Sequence, residues 1–539
     1  MKQKICLVIL ALLIILVSCS EKGEQQSSEH SKQTNALCGD GVCDQAEQQN
    51  TNLCPDDCAE SADQKQQGAT ETSVTSSSAS AMRTSSEQYD LFGTMLAFQS
   101  SQGFAGNKAW EEQATDDGWA SFWEEHGESF LSTMQTSFSR NTDRIKQTQF
   151  SSNRDVVGAF SWNVIEPTDG ADYDWSLADA TVEAAQEAGV DYVATIQPYS
   201  NWGSPDDVNP DTCSGIDFVY FDYKSGYPTD EAAYKDFVRA AVERYDGDGV
   251  DDMPALTTPI TMWEIGNEVE GPCSGSLSDG ETYLKLLKMS YEVIKEEQPD
   301  AVVVNAGALE IVGSTGAEMD DTIAFWEEFF AAGGAQYIDI FNLHYNRERF
   351  EPETSMEIWE RHLSFFRDLL DENGAQDKKL WVTEFGTGTI QDIQGDTVKL
   401  DDRTKTDYTL EDQAAWYLRY TVMGMSYGVE RIFIDLSGAD GSGLGSSAYF
   451  SHEGSRLFLV TLLALAHAVE DYDHVEVLEN GQYLFTTGGK RVYVLWDGEL
   501  PSEISGTVTV IDVLGEKSEK DASEISFSER SPVIITLFS

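Results

Sequence analysis

Basic residues are scarce in this sequence. Its 539 residues include 35 lysines and arginines against 94 aspartates and glutamates, which gives a formal net charge of −59. Such a balance repels nucleic acids and anionic membranes, and it disfavours a strongly polyanionic substrate unless the binding cleft is locally basic. An acidic excess of this size is typical of a solvated surface in salty surroundings, where screening relieves the repulsion.

The N-terminal apolar run is short for a membrane span. It covers residues 5–17, after Lys2 and Lys4 and before Cys19, and therefore predicts an export signal over residues 1–19. Residues 16–19 (Leu-Val-Ser-Cys) resemble a bacterial lipobox, in which Cys19 is lipidated after cleavage. The protein is then a cell-surface or periplasm-facing lipoprotein that meets the membrane only through this anchor. The alternative is ordinary secretion with a chance cysteine near the cleavage site.

Cysteines are few beyond the signal region. Four lie within residues 38–58, and Cys213 and Cys273 remain as a distant pair. An even number in an exported chain predicts disulfides, although the pairing within residues 38–58 stays open. That segment is too small for a hydrophobic core, so we expect a cysteine-rich acidic module, stabilised by disulfides alone or by disulfides with calcium. Residues 20–37 and 59–86 are polar linkers.

Apolar strands alternate with amphipathic helices from residue 87 to residue 468, which is typical of an α/β parallel sheet. The candidate strands are residues 91–97, 156–162, 192–197, 260–264, 301–305, 338–345, 380–384 and 431–435. Eight strands in this pattern predict a (β/α)8 TIM barrel. Residues 99–155 are polar and aromatic, and the first barrel helix has no clear position there. Residues 469–539 contain short strands without a helical stripe, which predicts a small C-terminal antiparallel β domain.

Two of these strands end at glutamates. Residues 261–268 (Thr-Met-Trp-Glu-Ile-Gly-Asn-Glu) lead to Glu268, and residues 380–386 (Leu-Trp-Val-Thr-Glu-Phe-Gly) contain Glu384. The two carboxylates are 116 residues apart in the chain, so only a fold can bring them together. Paired carboxylates across a cleft are the minimum equipment for glycoside hydrolysis. The other interpretation is that each is an ordinary strand-end carboxylate.

These segments resemble the fourth- and seventh-strand motifs of glycoside hydrolase clan A, and the pattern is most similar to family 39 and its relatives. Residues 160–167 with 170–175, and residues 341–345 (Phe-Asn-Leu-His-Tyr), extend the resemblance, which covers about residues 89–468. The eighth candidate strand departs from it, because residues 432–437 lack the tryptophan that many clan members carry there.

The resemblance implies roles for individual residues. Glu268 would be the general acid/base and Glu384 the nucleophile of a retaining mechanism that requires no cofactor. Asn267 would bond the 2-hydroxyl of an oligo- or polysaccharide substrate. Tyr345 would donate to the nucleophile, with His344 in the same network.

Aromatic residues follow the second and third candidate strands. Trp162, Asn163 and Trp202 lie at or just beyond the strand ends, where an aromatic ring can stack on a sugar. The alternative for each tryptophan is lining of the core or a loop.

The segment 246–252 alternates carboxylates with glycines. Asp246, Asp248 and Asp252 could wrap a structural calcium ion. The complete twelve-residue calcium loop is missing, and the alternative is an acidic turn before the fourth strand.

The sequence thus predicts an exported glycosidase that hydrolyses O-glycosidic bonds. A transglycosidase using the same residues and a catalytically silent carbohydrate-binding protein are the alternatives. The sugar, the linkage and the oligomeric state are open. Cys213 and Cys273 follow neighbouring strands, so we expect a disulfide between them beside the cleft.

The acidic excess predicts that salt stabilises the folded protein. Raising sodium chloride from dilute buffer to molar concentration should raise the thermal midpoint, because screening weakens repulsion among the carboxylates. Calorimetry over a salt series measures this, with a chelator added separately at constant ionic strength to isolate any effect of calcium. A flat or falling midpoint would contradict the prediction.

Overall fold

Eight parallel strands form a closed barrel in the computed structural model of the protein. Each strand pairs with its neighbour in chain order, and the first closes the barrel against the eighth. The strands are β1 (Tyr89–Met95), β2 (Phe150–Asp155), β3 (Asp191–Ile196), β4 (Met262–Ile265), β5 (Val302–Asn305), β6 (Ile340–Arg347), β7 (Lys379–Thr387) and β8 (Val429–Asp435). The predicted (β/α)8 barrel is therefore confirmed. The structure describes residues 89–95, 142–205, 226–313, 317–347, 352–387, 409–435 and 450–538, with short gaps inside several of these ranges.

Helices cover the outside of the barrel. They are α1 (Trp162–Ile165), α2 (Ser176–Ala188), α3 (Glu231–Tyr245), α4 (Gly280–Glu297), α5 (Asp320–Ala331), α6 (Pro352–Glu372), α7 (Leu410–Ser426) and α8 (Leu457–Val469). Local signals fix their ends. The carboxylate of Asp279 accepts from Thr282 N at the start of α4, and Gly189 ends α2 with φ 72°. Among the described residues, no helix is both long enough and apolar enough to span a membrane.

The second strand was predicted at the wrong place. Residues 156–162 are apolar, but β2 is the polar segment Phe150–Asp155, and Trp162 begins the short helix α1. Phe160 and Trp162 pack outside the barrel, where Phe160 meets Trp263 edge-on with ring centroids 5.7 Å apart. The pattern misled because β2 points polar side chains into the barrel, so apolar content is no guide to this strand.

The C-terminal part forms a separate antiparallel sheet, which follows the two-residue strands β9 (Phe450–Ser451) and β10 (Gly454–Ser455). Its strands are β11 (His474–Glu479), β12 (Gln482–Thr487), β13 (Lys490–Leu495), β14 (Thr507–Ile511), β15 (Lys517–Asp521) and β16 (Val533–Phe538). Their order in the sheet is β11-β12-β13-β16-β14-β15. The prediction of a small antiparallel domain is confirmed. The edge strand β15 is charged and carries no apolar signal in the sequence.

Polar contacts fasten this sheet to the barrel. Thr461 Oγ1 on α8 donates to Val513 O at 2.5 Å, and Arg530 lies 3.4 Å from a carboxylate oxygen of Asp412. Asp412 also completes the capping box that begins α7 at Thr409. The sheet therefore contacts the helix that follows β7.

Several predictions fall outside the described residues. These are the signal with Cys19, the module of residues 38–58, both linkers and Cys213. Cys273 is disulfide-bonded. Its pairing with Cys213 stays a prediction.

Candidate active site

The barrel interior changes from apolar to polar along the strands. The lower layer is apolar and consists of Val193, Met262, Val304, Ile340, Trp381 and Phe433. Residues two positions apart on a strand share a face, so Thr195, Glu264 and Asn342 lie one layer higher. Thr195 and Asn342 each donate to Glu264 at 2.8 Å. The upper layer faces the C-terminal mouth, where active sites of such barrels occur.

Arg154 on β2 is the charged centre of the polar layer. Its buried guanidinium donates to Glu264 from Nε at 2.6 Å and from Nη2 at 3.0 Å. Nη1 donates to Glu384 Oε1 at 2.8 Å, and Nη2 donates to Asn267 Oδ1 at 2.5 Å. Burial opposes the charged form, but the carboxylates of Glu264 and Glu384 outweigh it and raise the pKa of Arg154. One cation therefore connects β4, its loop and β7.

The sequence interpretation missed both Arg154 and Glu264. A signal for Glu264 was present, because it is a charged residue inside the buried strand Met262–Ile265, and a buried charge requires a partner. The partner itself gave no signal, since Arg154 lies in a strand that reads as a loop.

Glu268, His344 and Glu384 meet at the mouth of the barrel. His344 Nδ1 lies 2.8 Å from Glu268 Oε1 and 3.8 Å from Glu384 Oε1. A carboxylate oxygen of Glu268 and one of Glu384 lie within 4.8 Å of each other. Burial opposes the imidazolium, yet the two carboxylates outweigh it and raise the pKa of His344. The fold thus brings together the two glutamates and the histidine that the sequence analysis selected.

A β-bulge on β7 turns Glu384 towards this centre. The pairing of β6 with β7 shifts so that Leu343 faces Val382 while His344 faces Glu384. Thr383 also points inward, where its hydroxyl lies 2.7 Å from Asn342 Nδ2 and 3.0 Å from His344 Nε2. Bulges re-aim side chains beside active sites. Two successive residues therefore reach the interior.

Glu268 has an unusual backbone conformation. Its φ is 47°, in the left-handed region that costs free energy for residues other than glycine. Glu268 N donates to Ala306 O at 2.6 Å, which attaches this loop to the end of β5. The neighbouring Gly307 has φ 71°, and a Cβ there would lie 2.0 Å from His344 Nε2. Glycine is required at position 307 for His344 to occupy its place.

Trp162, Asn163 and Trp202 each make hydrogen bonds that brace neighbouring loops. The ring of Trp162 is fully buried and has no face left for a sugar, which corrects the stacking expectation for this residue. Trp202 is partly buried, and stacking on it stays a prediction. Its indole donates to Glu166 Oε2 at 2.9 Å, and that of Trp202 donates to Glu166 O at 2.7 Å. Asn163 Oδ1 accepts from Asn201 N at 2.7 Å.

Tyr345 lies behind the barrel wall. Its fully buried ring packs 4.4 Å from Trp359 on α6 and stacks on Trp416 of α7 at 6.4 Å. Neighbouring residues on a strand point to opposite faces, so the ring lies on the side away from His344. This corrects the expectation that Tyr345 lines the site beside the nucleophile.

Asn267 lies within the site. Because the guanidinium of Arg154 faces its side-chain oxygen, the contact fixes which end of the amide points towards Arg154. The amide nitrogen is the end left to face a ligand.

Two clusters of described residues offer metal-ligand atoms within 4.8 Å of one another, namely Glu268 with His344 and Glu384, and Asp246 with Asp248 and Asp252. In the first, Arg154 already compensates Glu384, so a metal cation would add to the charge of a buried guanidinium. In the second, Asp252 accepts from the backbone of Gly247 and Gly249, which closes the turn without a metal. Calcium at the second cluster stays a prediction.

Comparison with known proteins relates this barrel to solved structures. No family model and no curated protein matches the sequence. A family 39 glycoside hydrolase from the gut symbiont Bacteroides cellulosilyticus WH2 is similar in structure, with a TM-score of 0.51, 15% sequence identity, and coverage of 84% of this chain and 82% of that chain. A family 39 β-xylosidase from Caulobacter crescentus has a TM-score of 0.51 and 12% identity, over 84% of this chain and 96% of that chain. The protein shares the fold of the clan A glycosidases, as the sequence motifs predicted.

Replacing Arg154 should destabilise the protein strongly. Arg154→Gln leaves two carboxylates without their cation, and breaking a buried ion pair in this way costs about 3–5 kcal/mol. Arg239→Gln is a matched control, because Arg239 likewise bonds several carboxylates, those of Asp236, Glu296 and Glu297, but on the surface. Exposed pairs contribute about 0.2–1 kcal/mol. Urea unfolding measures both variants, and similar losses would contradict the assigned role.

Proposed function

We propose that the protein is a retaining glycoside hydrolase in which Glu384 is the nucleophile and Glu268 the general acid/base. The observation that carries the proposal is the short distance between the two carboxylates, whose nearest oxygens lie within 4.8 Å. Carboxyl groups about 5–5.5 Å apart are typical of retaining enzymes, whereas inverting enzymes need about 6.5–9.5 Å to accommodate a water molecule.

The surroundings of the two glutamates support this division of roles. Glu384 is 12% exposed and bonds to the Arg154 guanidinium, which stabilises the anion that a nucleophile must be. Glu268 is 27% exposed and bonds to His344. A general acid/base must reach both a leaving group and an incoming water molecule, which the more accessible carboxyl can do.

The reaction follows from these positions. A carboxylate oxygen of Glu384 attacks the anomeric carbon while Glu268 gives its proton to the departing oxygen, which forms a glycosyl-enzyme and releases the alcohol. Glu268, now a carboxylate, takes a proton from water as the water attacks the anomeric carbon from the face that the leaving group vacated. Glu384 departs as a carboxylate, and the sugar keeps its configuration. The chain's own carboxyl groups supply every step.

A protein that only binds sugar has no use for this arrangement. Burying Arg154 with two carboxylates costs desolvation energy. Strongly perturbed charged groups in a cleft are typical of catalytic sites. The buried ion cluster therefore favours hydrolysis over silent binding.

The two glutamates should respond differently to replacement. Glu384→Ala removes the nucleophile, so activity should vanish with every leaving group. Glu268→Ala removes only proton transfer, so the loss should be severe, about 10²–10⁴-fold, with alkyl glycosides and mild for glycosylation by an activated aryl glycoside. Stopped-flow release of the phenol separates the two steps across a panel of aryl glycosides that includes β-xylosides.

Azide completes this test. With Glu268→Ala, azide should attack the glycosyl-enzyme without base assistance and give a glycosyl azide of retained configuration. It should not rescue Glu384→Ala in this way. Equal losses in both variants for all leaving groups, or an inverted product from the unaltered enzyme, would refute the proposed roles.

We also propose that the protein is exported and anchored through lipid on Cys19. The disulfide at Cys273 supports export, because such bonds persist in oxidising compartments. Cells producing the protein should incorporate labelled palmitate into it, and Cys19→Ala should abolish the labelling. Labelled Cys19→Ala, or unlabelled unaltered protein, would refute the anchor.

A further inference from the structure

Glu270 is a buried carboxyl that the proposed reaction does not use. It follows Glu268 by two residues in the loop after β4 and is 7% exposed. Its Oε1 accepts from Leu309 N at 2.7 Å and from Trp326 Nε1 at 3.0 Å. Leu309 lies in the loop after β5, and Trp326 belongs to α5. One carboxylate oxygen therefore connects the acid/base loop to two other segments.

Burying this group is costly. Within the part of the chain that the structure describes, Glu270 Oε2 is buried and has no hydrogen-bond partner. Burial raises the pKa of Glu270 to about 7, and the nearby charge of Glu268 adds to the effect. A buried oxygen without a partner opposes folding, so packing alone does not account for a glutamate here.

The loop geometry indicates what Glu270 does. Glu268 is held in the left-handed conformation, with its N–H donating to Ala306 O. Gly271 N donates back to Glu268 O at 3.0 Å, so residues 268–271 form a tight turn. Glu270 supplies the second attachment of this turn to the segment after β5, through Leu309. The two attachments lie on either side of the Glu268 carbonyl and resist its relaxation to an unstrained conformation.

We propose that Glu270 is a positioning residue that holds Glu268 in its left-handed conformation. This conformation keeps the carboxyl of Glu268 beside His344 and Glu384, where it can exchange a proton with the leaving group or water. This inference rests on the proposed retaining mechanism. It assigns Glu270 to the acid/base function, because Glu270 attaches the turn of residues 268–271, whereas the carboxylate of Glu384 is held by Arg154. Glu270 touches neither the sugar nor the reacting atoms.

The inference is testable because Glu270 contacts the turn of Glu268, whereas Arg154 bonds Glu384 directly. Glu270→Ala removes the acceptor for both N–H groups and should let Glu268 move. A displacement of about 1 Å costs roughly 10²-fold in rate, so turnover of alkyl glycosides should fall by about that factor while KM changes little. The phenol burst from an activated aryl glycoside should stay near normal, and azide should restore turnover.

Conservative variants separate positioning from charge. Glu270→Gln keeps an oxygen acceptor for Leu309 N and Trp326 Nε1, so it should recover most of the activity lost in the alanine variant. Glu270→Asp moves the carboxylate back by one methylene and should show the same dependence on leaving group to a smaller degree. The aspartate variant also keeps the inference testable if the alanine variant does not fold.

Glu166→Ala is the matched control for lost structure. Glu166 is likewise a buried glutamate that accepts from an indole, that of Trp162, and from a backbone N–H, that of Gly170. It lies in the loop after α1. Its removal should lower the thermal midpoint comparably without creating a dependence on leaving group or a response to azide.

Two outcomes overturn the inference. One is a folded Glu270→Ala enzyme with unaltered rates on alkyl glycosides, and the other is an equal loss for both classes of leaving group. Either result beside a normal response of Glu268→Ala leaves the proposed function intact. Inversion of configuration by the unaltered enzyme would instead refute the proposed function and this inference together.

Discussion

The buried guanidinium of Arg154 stabilises the polar interior of this barrel. Arg154 lies between Glu264 below it and Glu384 above it, and its guanidinium bonds both carboxylates. Charges inside a protein persist only when they are paired and hydrogen-bonded, which the Glu264 network with Thr195 and Asn342 achieves. The position of Glu384 depends on its ion pair with Arg154.

The other half of the site is supported by backbone geometry. Glu268 adopts a left-handed conformation that its own side chain disfavours, after Gly266 with φ 81°. Gly307 leaves room for His344, which bridges the two glutamates. Glu384 is thus held by its ion pair with Arg154, whereas Glu268 is held by hydrogen bonds between its loop and the segment after β5.

The sequence predicted the position of those strands whose buried residues are apolar. Strands β4, β6 and β7 are buried and largely apolar, and the polar residues Glu268, His344 and Glu384 in or just after them stood out for that reason. The strand β2 was misplaced because its inward residues serve a polar network, so Arg154 gave no signal. Tyr345 was assigned to the site from the family resemblance, but its ring packs against Trp359, because the side chain orientation depends on strand register, which a single sequence does not specify. The strain at Glu268 arises from contacts between loops and is invisible in the sequence.

The attachment of the C-terminal sheet has a consequence for how this protein could be recombined. Arg530 contacts the aspartate that caps α7, Arg419 of the same helix pairs with Glu529, and α8 bonds to Val513. The helix α7 in turn follows β7, the strand that presents Glu384. A crossover between the barrel and the sheet would cut through these contacts and loosen the helix next to the nucleophile strand. The barrel therefore depends on contacts with the sheet, and a chimera that preserves the site should keep residues 89–538 together.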